Sequence, residues 1–144
     1  MFNTLKKRIK NEKGLSLVEL LAVIVILGII AAIAIPAIGN IVNNSRDKGQ
    51  ISDALNIISG GKLAHIELKC GNDGCDGDDL KQFVDGKDVK DMTVTLNEDG
   101  EWEITGYPFD INNVDEFGGF SKDSAAKEND LKAALGEQVN SDTP

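Results

Sequence analysis

Leu15-Ser16-Leu17-Val18-Glu19-Leu20-Leu21-Ala22-Val23-Ile24-Val25-Ile26-Leu27-Gly28-Ile29-Ile30-Ala31-Ala32-Ile33-Ala34-Ile35-Pro36 is the stretch that decides how this chain is built. Between Leu15 and Ile35 only Ser16 and Glu19 are polar, and from Leu20 to Ile35 there is no charge. As a helix, those 21 residues reach about 31 Å, the thickness of a bilayer core, while the uncharged part alone reaches about 24 Å. Glu19 therefore lies in or near hydrocarbon, where a carboxylate costs roughly 2 to 3 kcal/mol and calls for a partner.

Outward to the N-terminus, residues 1–14 are short and cationic, with Lys6, Lys7, Arg8, Lys10 and Lys13 against Glu12. Basic residues before an apolar span predict a cytoplasmic N-terminus and export of the chain beyond Pro36. One reading is an ordinary secretory signal with a small-residue cleavage site at Ala32-Ile33-Ala34. However, such signals have about 7 to 15 apolar residues and no acid at their head. After Gly14, 10 basic residues face 23 acidic ones, a balance of -13 within the chain's net charge of -9. Phosphate neutralisation needs clustered Lys and Arg, so the acidic bulk of the chain is not expected to bind nucleic acid. The single His65 leaves no second histidine for a two-His metal or catalytic device.

The run Lys13-Gly14-Leu15-Ser16-Leu17-Val18-Glu19-Leu20-Leu21, behind its basic leader and ahead of the apolar span to Pro36, closely resembles the class III signal and N-terminal helix of type IV pilins, over residues 1 to about 59. The resemblance implies a structural subunit that polymerises with itself through this helix into a surface filament for adhesion, aggregation or twitching motility. It implies a prepilin peptidase that cuts Gly14-Leu15 and methylates the Leu15 amine, a place where most members have Phe or Met. An assembly platform with its ATPase is implied as well. The precursor would be a single-pass protein of the cytoplasmic membrane. A pseudopilin of a type II secretion or competence apparatus has the same architecture and is the alternative. After cleavage, the Leu15 amine and the Glu19 carboxylate are each costly alone in an apolar setting. Paired between neighbouring subunits, they would fix axial register.

Downstream, Pro36 lacks an N–H, and with Gly28 it predicts a kink or local melting near Ala32 to Pro36. Apolar positions Ile38, Ile41, Val42, Ile51, Leu55 and Ile58, interleaved with Asn43, Asn44, Arg46, Asp47, Lys48 and Asp53, read as one face of an amphipathic continuation. The expected organisation is a cleaved leader at 1–14, a transmembrane or filament-core helix at 15–36, its amphipathic continuation at 37–59 ending at Gly60-Gly61, and a globular head at 60–144. Met92 to Leu96 and Trp102 to Thr105 flank a turn-rich joint and read as a β-hairpin. Lys62 to Lys69 reads as a strand or a helical extension, Asp79 to Val84 as a short helix, and Ser124 to Leu135 as a C-terminal helix, regular or frayed. The fold class is α+β, with a long helix packed on a small antiparallel sheet.

Cys70 and Cys75 enclose four residues, and an even pair on an exported chain suggests a disulfide worth about 2 kcal/mol, with free thiols the other reading. The familiar pilin disulfide brackets a large region near the C-terminus, and this pair does not. Asp73, Asp76, Asp78 and Asp79 offer the hard oxygens that Ca²⁺ takes. Cys75 and Phe83 fall where an EF-hand needs ligands, so the loop reads as a solvated acidic one. No cofactor, metal or enzyme is expected, and the rival of another class is a membrane-tethered enzyme or Ca²⁺-binding domain.

Overall fold

A computed structural model describes the backbone of residues 2–136 and side chains from Ser16 onward. One helix, α1, runs Phe2–Ile66. Contacts divide the chain into residues 1–42 and 43–144, and each is described by itself.

In the first unit, side chains from Leu17 to Val42 that would ordinarily seek a core are exposed, Ile33 by 73% and Leu20 by 68%. A helix apolar on every side whose described apolar side chains stay exposed matches hydrocarbon or other helices as its surroundings. Residues 32–36 stay helical through Pro36, so the local melting expected there is not present. Proline at this place removes one hydrogen bond while the turns on either side keep theirs.

The second unit is α+β. Within it α1 presents Asp47, Ile51, Ala54, Ile58 and Gly61 at spacings of three and four, and the first four are fully buried. They meet Leu80, Val89, Val94, Ile104, Phe117 and Leu131 in one core. Strand β1 (Thr93–Leu96) pairs antiparallel with β2 (Trp102–Thr105), Val94 opposite Ile104 and Leu96 opposite Trp102, as the alternating pattern predicts. Asn97 closes the joint: its side-chain oxygen accepts from the Glu101 N–H at 2.9 Å, and Gly100 takes φ 78°. A two-residue strand, β3 (Ala126–Lys127), completes the order β1-β2-β3. On the other side of β1, Cys75 pairs with Val94 through N–H to carbonyl bonds of 2.8 and 2.9 Å.

Three expectations need correcting. The long helix does not stop at Gly60-Gly61 but continues to Ile66, which settles Lys62 onward as a helical extension. The two glycines serve close approach instead: a β-carbon on Gly60 would stand 2.7 Å from Val84 Cγ2, and one on Gly61 2.6 Å from Val94 Cγ1. The short helix α2 spans Gly77–Leu80 rather than 79–84, because Asp76 caps it. Ser124 to Leu135 is only partly helical. Ala126, opposite Ile104, adds to the sheet, and α4 begins at Glu128 and ends at Ala134. A further one-turn helix, α3, spans Val114–Phe117.

The glycines give a sign test. Gly49, with nothing within 4 Å of its would-be β-carbon, should gain about 0.5 to 1 kcal/mol as Ala from helix propensity alone. Gly61→Ala gains the same propensity but drives a methyl into β-branched Val94, and should lose about 1 to 3 kcal/mol net. Thermal melts followed by the emission of Trp102, the chain's single tryptophan, decide it. Stabilisation by both substitutions would refute the close-approach account.

Candidate functional site

The first candidate lies on α1 of the first unit. Gly14, Leu15 and Glu19 all sit in regular helix, so Leu15 and Glu19 are one turn apart, about 6 Å along the axis. Glu19 is exposed and has no ion pair among the described residues. It is the sole acid in an apolar wall whose 18-residue window has mean hydropathy 3.0. An exposed carboxylate in such a wall needs a cation from outside the single chain.

The segment around this acid can be compared with known proteins. Residues 9–35 match the family model described as the prokaryotic N-terminal methylation motif. The N-terminal helix thus carries a prokaryotic N-terminal methylation motif. A fimbrial protein of Moraxella nonliquefaciens is 36% identical over 78 residues, covering 54% of this chain and 47% of that protein. The chain therefore spans about half the length of the curated relative it matches. No solved structure matches it significantly.

In the second unit, Cys70 and Cys75 are disulfide-bonded. The acidic residues beside them have separate duties. Asp76 Oδ1 accepts from the N–H groups of Asp78 and Asp79 at 2.9 and 3.1 Å, and Asp79 accepts from the Asp76 N–H in return, a reciprocal cap. Asp78 pairs with Lys81 at 2.6 Å, and that bond and charge hold its carboxyl below the ordinary range. Only Asp73 of the four calcium candidates is not engaged in this way. Among the described residues no group of three or more His, Cys, Asp or Glu is placed to hold a metal ion. His65 packs edge-on to Trp102 with ring centroids 5.4 Å apart.

The residue that sequence reading missed is Asp47, placed there among the polar residues interleaved with the stripe. It is fully buried. Its carboxylate accepts from the Asn112 N–H at 3.0 Å, the Asn113 N–H at 2.8 Å and the Asn112 side-chain amide at 3.1 Å. One turn on, Gln50 donates to the Asp110 carbonyl at 2.9 Å and accepts the Asp110 N–H at 2.7 Å. One turn back, Asn44 donates to Glu116 at 3.2 Å. Three polar residues at spacing three thus strap segment 110–116 along α1 of this unit. The signal was available, because Asp47 stands four and seven positions before Ile51 and Ala54 and so on the buried stripe itself.

Proposed function

We propose that the chain is a structural subunit of a type IV pilus, held first in the cytoplasmic membrane by the apolar part of α1 and then polymerised with copies of itself into a surface filament. The observation that carries this reading is the methylation-motif match at residues 9–35, with Glu19 the one acid inside its apolar run. Basic residues 1–14 stay cytoplasmic and the acidic head is exported. A prepilin peptidase cuts between Gly14 and Leu15 and methylates the new amine. In the assembled filament the Leu15 amine of one subunit meets the Glu19 carboxylate of its neighbour, and an assembly platform with its ATPase adds subunits. The role is mechanical rather than catalytic.

Processing is the direct test. Mass analysis of the mature N-terminus should find methylated Leu15, and a bulky residue in place of Gly14 should leave the uncut precursor in the membrane. A mature end near Ala34 or Pro36 would mean an ordinary signal peptidase had acted and would end the filament reading.

A further inference from the structure

A hollow of about 100 Å³ opens between the end of α1, the disulfide loop and the hairpin, lined among others by His65, Asn72, Asp73, Leu96 and Trp102. Its loop wall is rigid for three separate reasons. The disulfide closes it, the Gly74 N–H donates to the Gly71 carbonyl at 3.3 Å, and Cys75 is zipped to Val94. Gly74 keeps the loop pressed on β1, since it takes φ 109° and a β-carbon there would meet the Thr95 side chain and the Val94 carbonyl. Held in this way, Asn72 and Asp73 stand exposed, and their side chains make no hydrogen bond among the described residues. Asp76, Asp78 and Asp79, a few positions on, are each engaged by a cap or a lysine. The facing wall carries two apolar groups, Leu96, 48% exposed, and Trp102, together with Thr95 and His65.

We propose that this hollow is a binding site for the terminal neutral sugar ring of a glycan. A pyranose presents an apolar C–H face and a rim of hydroxyls that both donate and accept. Trp102 and Leu96 suit the face, the Asp73 carboxylate accepts from hydroxyls, and the Asn72 amide donates and accepts. Pre-organisation by the disulfide removes the ordering cost that weakens loop-borne sites. The volume admits part of one ring, so the rest of the glycan stays in solvent. Asp73, with Asp76 and Asp78 close by in sequence, selects against carboxylated sugars by like charge. The inference concerns the head alone and does not rest on filament assembly.

The chain's single tryptophan lines the site, so its emission reports occupancy. Full-length protein in micelles of a sugar-free zwitterionic detergent is titrated with methyl β-galactopyranoside, methyl α-mannopyranoside and N-acetylglucosamine. At least one should give a saturable change in Trp102 emission with a dissociation constant of roughly millimolar order, as its atom count allows. Asp73→Ala should weaken that response at least about tenfold, with an unchanged melting temperature, and Asn72→Ala/Asp73→Ala should abolish it. Four results would overturn the proposal: no saturable change with any of the three sugars, a response undiminished in the double variant, saturation by N-acetylneuraminic acid alone, or saturation by spermidine where the sugars fail.

Discussion

Glu19→Ala should leave membrane insertion, cleavage and head folding intact and yet cut the yield of sheared filaments at least about tenfold. None of the first three uses the acid. Under the proposed pairing assembly does, because without the carboxylate each Leu15 amine would enter an apolar interface uncompensated. Breaking a buried pair from one side costs about 3 to 5 kcal/mol, and every 1.4 kcal/mol is about tenfold in an equilibrium that repeats at each added subunit. Glu19→Asp should retain part of the yield, its shorter side chain stretching the pair. The measurement is sheared filament relative to the total membrane-bound subunit at matched expression. A normal yield from Glu19→Ala would show that apolar packing alone sets the register.

Asp47→Ala should destabilise the head strongly. It leaves two backbone N–H groups and one amide without their acceptor and frees the strap over α1. Asp47 is covered by its partners rather than by depth, with few protein atoms around it, so water can compensate in part. The expected loss is about 2 to 4 kcal/mol, a fall of about 10 to 25 °C in melting temperature for a unit of this size. Burial alone would push the Asp47 carboxyl up. The N–H groups of Asn113 and Asn112, the Asn112 amide and the Arg46 charge outweigh it and hold the carboxyl below its ordinary 3.8. A carboxyl held low in the fold stabilises it fully above the unfolded value, and that stabilisation disappears as the pH falls through the folded value. Wild-type melting temperature should therefore drop as pH falls below about 4, and Asp47→Asn, already less stable at neutral pH, should drop less steeply. Parallel curves for the two proteins would remove Asp47 from the acid response.

The parts of this molecule that were legible in its sequence are those where one local rule decides. Uninterrupted apolar residues beside a basic N-terminal stretch define the helix of the first unit, and alternation about a turn-rich joint defines β1 and β2. The errors arose where a distant contact overrode a local signal. Gly60-Gly61 reads as a helix stop, because glycine usually ends helices. Here it is a flat place on the helix for Val84 and Val94 to touch, a fact held in segments well down the chain. Ala125 and Ala126 read as helix by propensity, and only pairing with β2 draws Ala126 into the sheet. Asp47 looked like solvent-facing decoration because an acid is rarely buried. Its partners, Asn112 and Asn113, carry no pattern that announces them. Glu19, the proposed assembly residue, stands out in the sequence because one charge in an apolar run is conspicuous without any tertiary knowledge.

The short bridge between Cys75 and Val94 bears on solubility at high density. A strand at the rim of a sheet offers unpaired N–H and carbonyl groups to any strand that drifts past, the route by which crowded β-proteins clump. In this head one rim is β1, whose Val94 already exchanges both bonds with Cys75, anchored by its disulfide. The opposite rim, β3, is two residues long and leads straight into α4. Neither rim leaves a long run for a stranger to add to. Copies of this head can therefore stand side by side at high density without one sheet growing into the next, and in the proposed filament the order of the array would be left to the helices.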